Sequence, residues 1–171
     1  MPQFIPLFSE QEIKNQIKTI GQQISFDYKT KDLVLVGVLK GSVIFLADLT
    51  RQISIDHEID LVGASSYEGT SSTGQIVFTK QPDLALEGRD ILLVEDIVDT
   101  GNTLFKIIEF MKLLDPRSIK ICSLIDKHER REVKIDVEYS CFSLEKGFIV
   151  GYGLDYNEKY RNLPAIYDLK L

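Results

Sequence analysis

The run LLVEDIVDTGNTL (92–104) holds the densest set of groups able to do chemistry. An apolar stretch leads straight into Glu95 and Asp96. Asp99, Thr100, Gly101, Asn102 and Thr103 follow, and a helical pattern begins after them. A turn rich in Gly, Thr and Asn at a helix start offers unpaired backbone N–H groups and hydroxyls, the parts of a phosphate cradle. Gly101 allows a positive φ or a close approach, while Thr100 and Thr103 supply hydroxyl donors. Two adjacent carboxylates would repel a phosphate unless they have another task. Hydrogen-bonding sugar hydroxyls, or holding Mg2+ through water, gives them one. Neighbouring acids alone read as solvated charge beside a capped turn. A third acid and a TGxT directly before a helix argue for a site.

The elements that must position this run follow from periodicity. Ser9 and Glu12 make a capping box, and Ile13, Ile17, Ile20 and Ile24 recur at helical spacing behind it. LVLVGVL (33–39) is a continuous β-branched and apolar run, as expected of a strand buried on both faces. VIFLADLTRQI predicts a helix after it. IDLVGASSY (59–67), IVFTK, DILLV (90–94) and SIKICSLID (118–126) predict strands, with short strands near VEYSCFSL and FIVGYGL and a polar tail segment beyond. Leu104, Ile107, Ile108, Met111 and Leu114 mark a helix between the third and fourth of these, with Pro116 soon after its end. EGTSSTGQ (68–75), polar and rich in Gly and Ser, predicts a mobile loop. Strands alternating with helices predict an α/β fold, a mostly parallel sheet flanked by helices on both faces. Ligands of such sheets bind beyond the carboxyl ends of the strands, which is where the acidic run sits.

Length and composition narrow the function. The 171 residues suit a single domain. The apolar fraction of 44% and charged fraction of 27% are ordinary for a soluble globular protein. No apolar run is long enough to span a bilayer and the N-terminus carries no signal-peptide pattern; the expected location is cytoplasmic, with no membrane partner. A net charge of -6 with no basic stripe argues against nucleic acid. Cys122 and Cys141 lie in strand-like runs and read as core thiols of a reducing compartment. His57 and His128 lack partners at metal-ligand spacing, and neither GxGxxG nor a Walker A pattern occurs, which disfavours a dinucleotide or generic nucleotide binder.

VEDIVDTGNT resembles the PRPP-binding signature of type I phosphoribosyltransferases (PRPP is phosphoribosyl pyrophosphate), and specifically the hypoxanthine-guanine branch in its short bacterial form. LKGS (39–42), SSY (65–67), the lysine ending LIDK (127) and FIVGYGLDYNEKYRNL (148–163) stand in the order of that family over nearly the whole chain. The resemblance implies a small hood subdomain built from the terminal segments. It implies transfer of the phosphoribosyl group of PRPP to N9 of hypoxanthine or guanine, giving IMP or GMP and pyrophosphate, with Mg2+ as cofactor. A homodimer or homotetramer is expected.

The resemblance also implies roles. Asp99, Thr100, Gly101, Asn102 and Thr103 would hold the ribose 5-phosphate. Glu95 and Asp96 would bind the ribose hydroxyls directly or through Mg2+, and Asp155 would bind Mg2+. Asp99 would take the N7 proton of the purine, a general acid–base role. Lys127 would donate to O6 of a 6-oxopurine and reject adenine. Phe148 would stack on the base with the backbone of Ile149 at its edge. Lys40 and Gly41, after a peptide that is cis in the family, would meet pyrophosphate with Arg161, and Arg131 matches a second pyrophosphate-binding arginine. Ser66 and Tyr67 would open a loop that closes over the reacting centre. Asn102 and Gly147 stand where some members carry lysine, and the preceding Lys146 is a candidate substitute for the latter. Alone, Phe148 would read as core, Lys127 and Arg161 as solvated charges and Asp155 as a turn residue. A PRPP- or nucleotide-sensing regulator on the same fold is the alternative function.

Overall fold

The computed structural model of the chain describes residues 2–66 and 76–170. The Ser9 capping box forms: the Glu12 N–H donates to Ser9 Oγ at 3.2 Å, and the Ser9 N–H donates to Glu12 Oε2 at 2.8 Å. Helix α1 runs from Glu10 to Asp27 and buries its isoleucine stripe. Strand β2 (Leu33–Leu39) leads into α2 (Val43–Thr50). Strands β3 (Glu58–Ser66) and β4 (Ile76–Lys80) flank the predicted mobile loop, which lies outside the described residues. Strand β5 (Asp90–Val98) feeds α3 (Asn102–Lys112), and β6 (Ser118–Lys127) and β7 (Tyr139–Leu144) follow.

These six strands form one sheet in the order β4-β3-β2-β5-β6-β7, parallel except for the β3–β4 pair. The β2 run is buried because both faces are covered. Leu33 and Leu35 point into a core shared with α1 and α2, whereas Val34 and Val36 point into a second core shared with α3. That alternation is the period of two expected of a strand. Cys122 and Cys141 are buried free thiols, as expected, and burial pushes both thiols above their ordinary value.

Two features depart from the sequence expectation. Strand β5 continues four residues past DILLV, so Glu95 and Asp96 are strand residues. Residues 3–8, to which the sequence assigned no element, and the polar tail are both strands: β1 (Gln3–Phe8) pairs antiparallel with β9 (Ile166–Lys170), which pairs with the short β8 (Ile149–Val150). Pro6 is tolerated in β1 because that strand is the edge of its sheet. This three-stranded sheet is the hood expected from the terminal segments.

Candidate active site

Strand register brings the first pair together. Val98 lies opposite Asp126 in the parallel β5–β6 ladder, so Asp99 and Lys127 emerge side by side at the carboxyl edge of the sheet. Lys127 is only 6% exposed, and its Nζ lies 3.6 Å from Asp99 Oδ1 and 3.7 Å from Glu129 Oε2. Asp99 Oδ1 is enclosed yet has no hydrogen-bond partner among the described residues. Such an acceptor is costly to leave unsatisfied and is available to a ligand. A pocket of about 190 Å³ opens here, lined by Asp99, Lys127, Arg130, Phe148, Ile149 and Leu154 among others. Phe148 is 47% exposed, with its ring 5.5 Å edge-on from that of Tyr156. An exposed aromatic face beside a buried ammonium and an orphan acceptor suits a flat heterocycle carrying both an acceptor and a donor.

The phosphate cradle adjoins it. A pocket of about 160 Å³ is lined by Glu95, residues 97–101, Thr103 and Leu104. Gly101 caps α3 at φ 84°, and a Cβ there would lie 2.8 Å from both Ile135 Cδ1 and Val133 Cγ2. Only glycine satisfies both the left-handed backbone and the packing. Gly101 has no side chain to cap the helix start, and the first N–H of α3, that of Asn102, donates to Thr100 Oγ1 at 3.3 Å. The segment that crowds Gly101 also braces the turn: the N–H groups of Glu132 and Val133 donate to Thr100 O at 3.0 and 3.3 Å. Asn102 turns its amide away to donate to Glu132 Oε2 at 2.5 Å, so its side chain ties down that brace and is not among the pocket lining.

Arg131 has a different task from the one its sequence match implied. Its guanidinium donates to the carbonyls of Val98 and Asp99 at 2.9 and 2.8 Å and to that of Lys127 at 2.9 Å, and pairs with Asp126. Those bonds consume it in holding the ends of β5 and β6 together.

Glu95 and Asp96 sit between the cradle and the turn after β2. Burial pushes the Glu95 carboxyl well above its ordinary value, and the adjacent Asp96 charge pushes it further; burial raises Asp96 as well, against opposing hydrogen bonds and Arg161. Gly41 packs so tightly here that a Cβ would lie 1.8 Å from Asp96 Oδ2. The Leu39–Lys40 peptide is cis, as the resemblance implied. Lys40 Nζ pairs with Glu158 Oε2 at 2.9 Å. Arg161 donates to Gly153 O at 2.7 Å and pairs with Asp155 Oδ1 at 2.8 Å and Glu158 Oε1 at 3.3 Å. No cluster of three or more His, Cys, Asp or Glu forms a metal cage among the described residues. A hard divalent cation that takes one or two carboxylates and fills its sphere with substrate and water still fits, and it would relieve the crowding of Glu95 against Asp96.

The predicted residues thus converge on one sheet edge, apart from two. Tyr67 lies outside the described residues, and Ser66 is described only as the last residue of β3. Sequence reasoning missed Arg130, whose Nη1 lies 3.6 Å from Asp99 Oδ2, and Asp168, whose Oδ1 accepts the Phe148 N–H at 3.1 Å. It also missed the part of Glu158. DKHERREVK signalled only a mixed-charge surface, and nothing local ties residue 168 to residue 148. Gly147 lines the base pocket, and Lys146 is not among the lining residues.

A cradle for one phosphate, a separate cationic turn and a pocket for a flat base on one sheet edge suit a ribose phosphate exchanging a substituent at its anomeric carbon. The phosphoribosyl transferase domain profile matches residues 7–157, and the chain belongs to the phosphoribosyltransferase family. It is 47% identical over 163 residues to the hypoxanthine phosphoribosyltransferase of Escherichia coli K12, covering 94% of this chain and 92% of that one. It is 47% identical over 165 residues to the hypoxanthine-guanine phosphoribosyltransferase of Streptococcus pyogenes serotype M3, covering 96% and 92%. A crystal structure of a hypoxanthine phosphoribosyltransferase from Staphylococcus aureus superposes with a TM-score of 0.92 at 43% identity, covering 96% of this chain and 90% of that one.

Proposed function

We propose that this chain salvages purines by transferring the 5-phosphoribosyl group of PRPP to N9 of hypoxanthine or guanine, with release of pyrophosphate. The observation that carries the choice of base is the Lys127–Asp99 pair, a buried donor 3.6 Å from an orphan acceptor beside the open face of Phe148. Lys127 donates to O6 of the base; the amino group of adenine, itself a donor, would meet it unfavourably. Asp99 accepts the N7 proton as N9 bonds to the anomeric carbon and the bond to pyrophosphate breaks with inversion, so the base is neutral in the nucleotide. Thr100, Gly101, Thr103 and the first amides of α3 hold the 5-phosphate, and Glu95 and Asp96 orient the ribose through its hydroxyls. Lys40, the Gly41 amide and Arg161 meet the charge that develops on the leaving pyrophosphate. Mg2+, when bound near Glu95, Asp96 and Asp155, would neutralise phosphate charge.

The chain acts as one phosphoribosyltransferase domain over residues 1–171, works in the cytoplasm and assembles as a homodimer or homotetramer. No helix among the described residues is long and apolar enough to cross a membrane. The regulator alternative gains no support, since the relatives above carry enzyme names.

The test is PRPP consumption in Mg2+ buffer with hypoxanthine, guanine, xanthine and adenine in turn. Turnover with 6-oxopurines and none with adenine is expected. Lys127→Ala should raise KM for hypoxanthine about tenfold or more, the effect of losing a charged hydrogen bond, while KM for PRPP stays near wild type. Equal effects on both substrates would refute the role of Lys127.

A further inference from the structure

The two cations assigned above to the leaving pyrophosphate are already engaged by a carboxylate of the chain itself. Glu158 spans them, with Oε2 2.9 Å from Lys40 Nζ and Oε1 3.3 Å from Arg161 Nη2. Asp155 completes a cluster of two cations and two anions through its 2.8 Å contact with Arg161. The two acids differ in how firmly they are held. Asp155 has both oxygens occupied, by Arg161 and by the Glu158 N–H at 2.9 Å, and its side chain is 30% exposed. The side chain of Glu158 is 64% exposed and, among the described residues, bonded only to the two cations.

The backbone aims Glu158 at them. Asn157, Glu158 and Tyr160 have φ of 51°, 61° and 77°, a left-handed tip that the Tyr156–Lys159 bridge closes. Arg161 Nε is enclosed and has no partner among the described residues, so the guanidinium keeps a free donor while its outer nitrogens are engaged. A diphosphate that engages both Lys40 and Arg161 competes with Glu158 for the same donors.

We propose that Glu158 is an internal counter-anion that occupies the pyrophosphate subsite of the free enzyme and is displaced by every ligand carrying a diphosphate. This rests on the pyrophosphate role proposed for Lys40 and Arg161. Glu158 sets the affinity for PRPP and pyrophosphate without touching base or ribose. By returning to the cations it competes with the product and hastens its departure.

Titration calorimetry of the full chain with inorganic pyrophosphate in Mg2+ buffer, and separately with GMP, tests this in wild type and Glu158→Gln. GMP is an anion that lacks the diphosphate. The side chain at position 158 is exposed and makes no core contact, so the variant should fold as wild type does. Pyrophosphate should bind Glu158→Gln about three- to tenfold more tightly, the range expected when exposed ion pairs no longer have to be broken, and GMP should bind unchanged. Glu158→Asp, which keeps the charge on a shorter arm, should fall between the two. Unchanged or weaker pyrophosphate binding in Glu158→Gln would overturn the inference, as would an equal gain for GMP, which would mark a general charge effect. Absence of binding by both ligands to wild type would instead remove the phosphoribosyltransferase site itself, and the inference with it.

Discussion

Glu95 and Asp96 are adjacent carboxyls at a strand end where burial and mutual repulsion both favour the protonated form. A carboxyl whose folded value lies above its unfolded one favours the folded state in acid. That contribution is fully present below the unfolded value and is lost as pH rises through the folded value. The protein at neutral pH therefore carries an electrostatic cost at this pair. Glu95→Gln removes one charge and keeps the shape. It should raise the melting temperature of the free protein at pH 8 by a few degrees, with a smaller gain at pH 5. The same variant should weaken PRPP binding about tenfold or more, since a charged hydrogen bond is lost. Thermal scans at the two pH values and PRPP titration check this. An unchanged or lower melting temperature at pH 8 would show that the pair is not a strained one. The acids and the TGxT turn were legible in the sequence, because their chemistry is stated by residue type and by place after an apolar strand, whereas Lys127 alone reads as a solvated charge and stood out only through its place in the family motif order. The brace behind them was not legible: the bond from Asn102 to Glu132 and the grip of Arg131 on three carbonyls join residues that no periodicity relates.

Among the elements, strands β5 and β6 end together and the segment after β6 folds back beneath the phosphate turn. Glu132 and Val133 donate to Thr100 O, Ile135 and Val133 pack against Gly101, and Arg131 bonds the carbonyls of residues 98, 99 and 127. The turn after β5 and the end of β6 at Lys127 are thus held by one side chain. Arg131→Gln should cost about 2 kcal/mol of stability, the scale for charged hydrogen bonds lost from a mostly enclosed site. KM for PRPP and KM for the base should rise together. A pyrophosphate ligand would behave otherwise, with product inhibition weakening far more than the KM for base. Denaturant unfolding and product-inhibition kinetics separate the two. The strands and helices themselves followed from the sequence wherever both faces were buried or one stripe was apolar, as in β2 and α1. Strand β5 ran longer than its apolar core because Glu95, Ile97 and Val98 stay in register with Ser123, Ile125 and Asp126 on the neighbouring strand. Polarity at a strand end is what function imposes, and it hides the end of the strand from a reading based on hydrophobicity.

Across the whole molecule, the two terminal segments come together in one small sheet beside the pocket lined by Phe148. Strand β1 offers no hydrophobic alternation, being exposed over most of its length, and β9 has only Ile166 and Leu169 buried, so neither announces itself as a strand. Their pairing joins residues 3–8 to residues 166–170, a contact that exists only once the domain has folded. Phe8 stacks on Phe142 and Phe4 lies edge-on to Tyr160 and Tyr167, which ties this hood to the main sheet and to the cation-bearing tip. From β9, Asp168 reaches the base pocket: Oδ1 accepts the Phe148 N–H at 3.1 Å and Oδ2 pairs with Lys170 at 2.6 Å. Lys170 first, then the Phe148 amide, hold the Asp168 carboxyl below its ordinary value despite its partial burial. A depressed carboxyl stabilises the fold above its unfolded value and loses that contribution only as pH falls through the folded one, so this contact persists through neutral pH and weakens only in acid. Asp168→Ala frees the Phe148 backbone while leaving the cradle intact. KM for hypoxanthine should rise about three- to tenfold, the worth of one charge-assisted bond at a partly exposed site, with KM for PRPP little changed and the melting temperature slightly lowered at neutral pH. Asp168→Asn, which can still accept from that N–H, should recover most of the loss. If Asp168→Ala left hypoxanthine KM at the wild-type value, the stacking ring would be held by the pocket alone and the terminal strand would serve only the fold.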